Sequence, residues 1–301
     1  MPEYPEIALY LHALEPRVVG HRLVRLRIAT PSLLRSIDPA PTALAGKMVQ
    51  GLTRIGKRNV LALEDELYVV LHLMVAGRLQ WKDAGATIPR RLGHAAFDFE
   101  HGTLLVTEAG TRKKAQLHLV RGPAALAAFD RGGVDPLVVD TRTFTNALRR
   151  ENRTLKRALT DPRIVSGIGN AHSDEILLEA RLSPAQLTRS LDDATLARLH
   201  QVIRSSLERW AALLIAEAGS GFPTKVTAFH PRMGAHGRYG KPCPQCGTPI
   251  QRIVYAENET NYCPTCQTGG KLLADRAFSR LLREDWPRSL DELEQHFGER
   301  R

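Results

Sequence analysis

The most informative segment of the chain is CPQCGTPIQRIVYAENETNYCPTC, residues 243–266. It holds all four cysteines, in two Cys-x-x-Cys pairs with sixteen residues between them. Two such pairs supply four thiolates, the ligand set of a tetrahedral structural zinc site. IQRIVY alternates like a strand and NETNY can return as its partner, so the segment predicts a zinc hairpin. With no ligand position left open for water, we expect one structural Zn²⁺ at Cys243, Cys246, Cys263 and Cys266.

The whole chain is basic and otherwise ordinary in composition. It has 301 residues, with 42 Lys and Arg against 32 Asp and Glu, a net charge of +10 and 43% hydrophobic residues. That charge favours a polyanion, with nucleic acid as the first candidate, although a generally Arg-rich proteome gives the same balance. The length suggests two domains. No stretch reaches the ~18 apolar residues of a membrane span, and no secretory signal opens the chain. We expect a cytoplasmic protein without membrane contacts.

Upstream of the cysteines, strand patterns give way to helix patterns. Residues 47–81 read as three or four strands and residues 95–108 as a hairpin, which suggests a β-sandwich or barrel. Helices are predicted at 142–162, where Asp161-Pro162 ends the helix, at 171–182 and at 192–219. Helices after strands, in separate blocks, predict an α+β chain or two domains.

The first residues, MPEYPEIALYLHALEP, allow two interpretations. In the structural one, Pro5 begins an amphipathic helix that Pro16 ends, and the residues before it are a lead-in. In the chemical one, Met1 is trimmed and Pro2 becomes a secondary amine directly followed by the carboxylate of Glu3. This stretch alone does not separate the two.

Two weaker signals lie in the interior of the chain. The turn SGIGN, residues 166–170, contains two glycines, so its backbone N–H groups can approach an anion, and Asn170 can cap the helix that follows. By itself such a turn is more often only a turn. Lys57 follows a glycine at the start of the apolar strand in RIGKRNVLAL, where the ordinary interpretation is a solvated charge at a strand end.

The four motifs together, in this order, resemble the formamidopyrimidine-DNA glycosylase and endonuclease VIII family over residues 2–268. That resemblance implies an α+β multidomain fold with flanking helices around an N-terminal β-sandwich. The expected domains are a catalytic β-sandwich at 1–135, a helix–two-turns–helix DNA-binding domain at 141–222, a zinc finger at 236–270 and a C-terminal helical extension, of no assigned function, at 271–301.

The resemblance implies a bifunctional DNA glycosylase and abasic-site lyase in base-excision repair, which flips a damaged base out of the duplex. Pro2 would attack C1′ of the sugar and form an iminium, and Glu3 would relay the proton. Glu6 would hydrogen-bond the start of the helix, and Lys57 would act in β-elimination. The expected partner is double-stranded DNA with a damaged base or an abasic site, bound by a monomer in the bacterial nucleoid.

The resemblance also assigns DNA contacts and their supports. His94 matches a DNA-contacting position, Asn170 and its turn would hold the DNA backbone, and Glu175 would support that turn. The other expected contacts are cationic, at Arg112, Lys113 and Lys156.

The chain departs from the family at several positions. Asn258 stands where an Arg linked to δ-elimination is usual, between Glu257 and Glu259. In the purine-specific branch a Met, an Arg and a Phe fill the space left by the flipped base. Here Val75 occupies the Met place, and the later loop offers Arg112 and Lys113 but no Phe. The chain is therefore an outlying member.

Alternatives stay open for the lesion that the protein recognises and for whether it acts as a catalyst. Oxidised purines such as 8-oxoguanine and formamidopyrimidines are the first expectation, and oxidised pyrimidines, as in endonuclease VIII, the second. A non-catalytic protein that binds damaged DNA on the same scaffold is opposed by the joint presence of Pro2, Glu3 and Lys57. A zinc-ribbon RNA-binding protein is disfavoured because single-strand readers use clustered stacking aromatics, and aromatics make up only 6% of this chain.

Overall fold

The computed structural model describes residues 1–110, 112–224, 226–227, 229–255, 258–273, 287–290 and 292. The chain forms two compact units. The first comprises Met1–Arg131 with Glu208–Ala228, and the second Gly132–Leu207 with Phe229–Arg301. The first unit thus includes the last part of the long helix near residue 210, because Leu214 and Ile215 pack against its core. The predicted boundaries of the four domains stay predictions.

The first unit is built on two antiparallel sheets of four strands each. Their strand orders are β1-β6-β7-β5 and β2-β3-β4-β8. The elements are α1 (Tyr4–Val18), β1 (Arg25–Ile28), β2 (Val49–Ile55), β3 (Arg58–Leu63), β4 (Leu67–His72), β5 (Gly77–Lys82), β6 (Gly93–Phe99), β7 (Gly102–Glu108), β8 (Gln116–Arg121) and α2 (Pro123–Ala127). Val69 and Leu117 of one sheet share a buried cluster with Phe97 and Val106 of the other. This shared core makes the two sheets a sandwich, which the resemblance implied and the strand pattern alone had left open against a barrel.

Some non-glycine residues in the short turns of the sandwich have an uncommon backbone conformation. Residues 47–81 contain the predicted succession of strands, with the turn between β3 and β4 at Asp65 and Glu66. Both residues have positive φ, 60° and 53°, and so does Met74, at 53°, in the turn after β4. Non-glycine residues adopt this left-handed region only where the surroundings impose it. The turn at Met74 is therefore a fixed feature of the sandwich.

Helix α1 runs two residues past the proline that was expected to end it. Pro16 lies in the last turn, and the helix ends at Val18. A proline there removes only one N–H donor near the end of the helix. The guanidinium of Arg17 donates to the carbonyl of Ala13, at 2.6 Å, and so satisfies one carbonyl of that last turn.

The second unit holds the helices and the cysteine segment. Its elements are α3 (Thr141–Arg149), α4 (Leu155–Thr160), α5 (Asn170–Ala180), α6 (Asp193–Ala218), which continues into the first unit, β9 (Gln251–Tyr255), β10 (Asn258–Tyr262) and α7 (Pro264–Thr268). The single helix predicted for 142–162 is wrong, because the chain breaks it between α3 and α4. There the N–H of Leu155 donates to the carbonyl of Gln186, at 2.8 Å, and Arg153 accepts from Thr188, at 2.8 Å. These long-range bonds replace the intrahelical ones.

The carboxyl-terminal extension falls mostly outside the described residues, including the helix-like LADRAFSRLL from residue 274 onward. Where it is described, the N–H of Glu292 donates to Oγ of Ser289, at 3.2 Å. This is one half of the expected capping box. Among the described residues, no helix is both long and apolar enough to cross a membrane.

Candidate active site and zinc centre

The two residues directly before α1, Pro2 and Glu3, are buried. Glu3 is only 2% exposed. Glu3 is the N-cap of α1, and its N–H donates to the carboxylate of Glu6, at 2.7 Å. A carboxylate at this helix end is stabilised by the otherwise unpaired N–H groups of the first turn. The helix start thus holds two acidic side chains beside the amino terminus.

Four charged side chains lie close enough to the amino group of Met1 to shift its pKa. Burial lowers the pKa of the amine at Met1 below its ordinary value, and the cations of Arg78 and Lys57 lower it further. Glu3 and Glu6 act in the opposite direction. A lowered pKa leaves more of this amine unprotonated. We call Pro2, Glu3, Glu6, Lys57 and Arg78 the amino-terminal cluster.

Arg78 is the member of this cluster that sequence reasoning missed. Its guanidinium donates to the carbonyl of Val75, at 3.1 Å, and to that of Gly77, at 2.6 Å. It therefore ties the turn after β4 to the amino-terminal cluster. In this turn Val75, predicted as the wedge, is 61% exposed. The only sequence signal for Arg78 was its place directly after that turn.

The loop after β7 packs beside this turn. The N–H of Ala109 donates to the carbonyl of Ala76, at 3.4 Å. Arg112 and Lys113, which were predicted to contact DNA, are both exposed on the loop. The turn and the loop that the sequence singled out separately are therefore neighbours.

His94 does not lie on the surface, although it was predicted to contact DNA. It is 1% exposed, and its Nε2 is 3.0 Å from the carboxylate of Glu108, itself 1% exposed. The same carboxylate accepts the backbone N–H of Lys114, at 2.9 Å, and of Ala115, at 3.2 Å. In this structure His94 is an internal support of the loop after β7.

In the second unit, Lys156 is turned inward beside the SGIGN turn. Gly167 has a φ of 84°, which a glycine adopts without strain, and Asn170, half-buried, is the first residue of α5. The ammonium of Lys156 donates to the carbonyl of Asn170, at 2.6 Å, and to the carboxylate of Asp174, at 2.5 Å. Lys156 is only 4% exposed, so it supports this turn from within. The predicted DNA contact of its side chain stays a prediction.

Two acidic residues of α5, Asp174 and Glu175, hold the segment 234–236. Glu175 accepts the backbone N–H groups of Gly234, Ala235 and His236 at 2.8–2.9 Å. It was expected to support the SGIGN turn, but its hydrogen bonds go to this other segment. Asp174, which sequence reasoning missed, accepts from His236 Nδ1 at 2.8 Å. Its side chain is also bonded by Asn261 of β10, at 3.2 Å, so it links α5 to the zinc hairpin.

The four cysteines meet at one point. Their sulfur atoms all lie within 4.8 Å of one another, with Cys246 and Cys263 3.4 Å apart and Cys243 and Cys266 4.0 Å apart. A tetrahedral zinc with Zn–S distances of about 2.3 Å separates its sulfurs by about 3.8 Å. Burial raises the pKa of the Cys263 thiol and raises that of Cys266 to about 11. Thiols this close ionise together only with a cation between them, so the donor set fits zinc.

The hairpin between the cysteine pairs contains Asn258, one of the positions at which the chain departs from the family. Asn258 begins β10 and is exposed, and Glu257 lies outside the described residues. Arg252 on β9 pairs with Glu259, at 3.7 Å, and its guanidinium lies 4.4 Å from the ring centroid of Tyr239. Arg252, a cation on the hairpin, is therefore held by two partners of its own, Glu259 and Tyr239.

Three family models match the chain. They are the formamidopyrimidine-DNA glycosylase N-terminal domain at residues 1–117, the formamidopyrimidine-DNA glycosylase H2TH domain at 133–219, and a zinc finger found in FPG and IleRS at 240–269. The formamidopyrimidine-DNA glycosylase of Enterococcus faecalis is 31% identical over 282 residues, which cover 89% of this chain and 97% of that protein. That of Thermus thermophilus is 32% identical and is covered completely. The chain belongs to the formamidopyrimidine-DNA glycosylase family.

Solved structures agree with this membership. A Lactococcus lactis member, in complex with DNA that contains Fapy-dG, matches with a TM-score of 0.77 and 26% identity over 89% of this chain and 100% of its own. MutM in complex with DNA containing carbocyclic 8-oxo-G matches with a TM-score of 0.77 and 25% identity, over 89% of this chain and all of its own.

Membership and geometry together establish the cofactor. The zinc-finger match spans the four cysteines, and the sulfur atoms are placed for tetrahedral coordination. As a member of this family the chain carries one structural zinc, as predicted. Its role follows from the local packing, since among the described residues five buried ones form the core beside it: Leu178, Ala235, Cys243, Ile250 and Cys263. A core this small needs a metal for stability.

Proposed function

We propose that the chain is a bifunctional DNA glycosylase and abasic-site lyase of base-excision repair. Its substrate is double-stranded DNA with an oxidised base or an abasic site. The observation that carries the proposal is the amino-terminal cluster, in which the buried carboxylate of Glu3 directly follows Pro2, and the cations of Lys57 and Arg78 act on the amino terminus one residue away. The names of the relatives and their complexes with damaged DNA support it.

The first step of this reaction uses Pro2 after removal of Met1. The secondary amine attacks C1′ of the damaged nucleotide, and the bond from C1′ to the base breaks. Glu3 supplies the proton that the sugar oxygen or the departing base needs. Loss of the C1′–O4′ bond leaves an iminium between Pro2 and C1′, so one difficult displacement becomes two easier steps.

The second step cuts the strand. The iminium acidifies C2′, which loses a proton, and the 3′ phosphate leaves with the electron pair of its C–O bond. Water then releases the unsaturated sugar from Pro2. Lys57 and Arg78 supply positive charge close to the amine, where it would stabilise the departing phosphate. Glu6 holds the helix start in place.

The residues proposed to contact DNA are chosen by the exposure of their side chains and by their place at a helix start. Arg112 is an exposed cation on the loop after β7, as phosphate and base contacts require, whereas Lys113, also exposed, donates through its ammonium to the main-chain carbonyls of Arg91 and Glu108. Asn170 opens α5, where backbone N–H groups favour a phosphate. Lys156 and Glu175 would act from within, through Asp174 and the segment 234–236.

An oxidised purine is the proposed lesion, because the relatives are named for formamidopyrimidine and one is solved with 8-oxo-G. Oxidised pyrimidines, as in endonuclease VIII, remain the second candidate. The observation in their favour is Val75, which is exposed on the turn where the purine branch has a longer Met. We propose that the protein acts as a monomer in the bacterial cytoplasm, on the nucleoid.

Borohydride trapping tests the proposal. The protein, freed of Met1, is incubated with an abasic-site duplex and borohydride, which reduces an iminium to a stable amine. We expect a covalent protein–DNA product on a denaturing gel, and none with an undamaged duplex. A protein that binds the abasic duplex without ever becoming attached is a damage-binding protein, and the proposal fails. A panel of single-lesion duplexes then ranks purines against pyrimidines.

A further inference from the structure

The loop after β7 is fixed by a single buried carboxylate. Glu108, the last residue of β7, accepts the N–H of Lys114 through both oxygens, at 2.9 and 3.0 Å, and that of Ala115 at 3.2 Å. Glu108 thus closes the loop from its first residue to its last. Lys113 bonds the main chain at the same place, because its ammonium donates to the carbonyl of Glu108.

His94 completes this anchor from the neighbouring strand. Its Nε2 lies 3.0 Å from Glu108, and a carboxylate can only accept, so Nε2 carries the proton. Burial lowers the pKa of His94, although Glu108 acts against this. Nδ1 is buried too and has no hydrogen-bond partner in the part of the chain that the structure describes. Nothing in this arrangement turns the ring toward a ligand outside the protein.

The anchor leaves two cations of the loop available. Lys113 is tied to main-chain carbonyls. The side chains of Arg112 and Lys114 are exposed and make no hydrogen bond or ion pair with the described residues. The same loop bonds the turn that presents Val75, through Ala109 and Ala76. A shift of the anchor would therefore move the loop cations relative to that turn.

We propose that His94 and Glu108 are a positioning pair: they fix the described part of the loop, residues 109–110 and 112–114, so that Arg112 and Lys114 meet the DNA, and His94 itself does not touch it. This inference rests on the proposed function for what the loop meets. It replaces a direct phosphate contact by His94 with an indirect role, which predicts different results for binding and for catalysis.

The variants are His94→Ala, His94→Gln, Glu108→Gln and the double variant His94→Ala with Glu108→Gln, with Arg112→Ala as a matched control for a direct contact. The glutamine at 94 keeps an N–H that can reach Glu108. Binding is measured on a duplex with a tetrahydrofuran abasic-site analogue, which cannot form an iminium, across a series of salt concentrations. Circular dichroism and thermal unfolding confirm that each variant is folded, and Glu108→Gln, which hardly changes volume, stands in if His94→Ala is not.

For binding, we expect Arg112→Ala to lower the slope of log Kd against log salt by about 0.9, the value of one lost phosphate contact. His94→Ala should leave this slope unchanged. In single-turnover excision, His94→Ala and Glu108→Gln should each lose about 10-fold, as misplaced groups do, and the double variant no more than either. His94→Gln should recover most of the rate.

Limited proteolysis tests how firmly the loop is held, independently of enzymatic activity. Trypsin cuts after Arg112, Lys113 and Lys114, and it should cut the free His94→Ala and Glu108→Gln proteins faster than wild type and His94→Gln. If wild type excises no base, the proposed function fails, while the trypsin and salt results still judge the pair. A slope lowered by about 0.9 in His94→Ala, additive losses in the double variant, or unchanged trypsin cleavage would each overturn the positioning pair.

Discussion

The amino-terminal cluster and the zinc hairpin carry motifs of the same family but are held in place by different forces. In the part of the chain that the structure describes, 24 buried residues form the core under the cluster, whereas five form the core beside the zinc cysteines. The first region is fixed by burial of apolar surface and the second by metal coordination. The difference teaches that a change at the cluster should alter chemistry on an intact scaffold. A change at the hairpin should first alter the local structure, and only through it the affinity for DNA.

The largest effect is expected at the first residue of the processed chain. Pro2→Gly replaces the secondary amine by a primary one that is less suited to this site, so iminium trapping should fall by about 10³-fold or more. Pro5→Gly is the matched control, because it removes a buried proline from the same helix start without changing the amine. Unchanged trapping by Pro2→Gly would mean that another amine, such as that of Lys57, is the nucleophile.

The second effect separates the two activities of the cluster. Glu3→Gln removes the buried acid, so excision of an intact damaged base should fall by about 10²- to 10⁴-fold, the usual worth of an acid–base group. Cleavage of a preformed abasic site should fall much less, because that sugar opens readily without an acid. Glu15→Gln, an exposed change on the same helix, is the control. Equal losses in both assays would contradict this division of roles.

The third effect tests the other side of the comparison. Cys263→Ser removes one thiolate from a segment with almost no core of its own, so zinc should be lost and the Kd for an abasic-analogue duplex should rise by about 10²-fold. Thr265→Ala, an exposed change between the last two cysteines, keeps all four ligands and is the control. Zinc content and Kd are measured on the same samples. Full binding by a metal-free protein would refute the structural role.

The two regions also differ in how well the sequence predicted them. The zinc ligands followed from spacing alone, because two Cys-x-x-Cys pairs have few other uses in a chain of this kind. The strands of the sandwich followed from alternation and turn residues. Arg78 and Asp174 could not be found this way, because the amino group that Arg78 acts on and the partners of Asp174 lie far from them in the sequence. The resemblance gave His94 a contact with DNA, and only the structure shows its contact with Glu108 on the neighbouring strand. The break at residues 150–154 was missed because long-range bonds override helix propensity.

The smallest effect concerns the tip of the zinc hairpin. A second, δ-elimination expels the remaining phosphate, and a cation that donates a proton helps it leave. Asn258 has no charge. Arg252 is held by Glu259 and the ring of Tyr239, so its guanidinium is not available to donate a proton to the phosphate. Wild type should therefore stop mostly at the β-elimination product.

Asn258→Arg should raise the δ-elimination share of the products a few-fold if the tip reaches the phosphate, in line with the ~1–3 kcal/mol of one charge-assisted hydrogen bond. Asn258→Gln is the matched control, because it lengthens the side chain without adding charge. Both are read on a sequencing gel, where the sugar-ended and phosphate-ended strands migrate differently. A dominant phosphate-ended product from wild type would show that this family member has another cation at the leaving group. The exposed position of Asn258 at the start of β10 makes the change a test of charge alone, since nothing buried is disturbed.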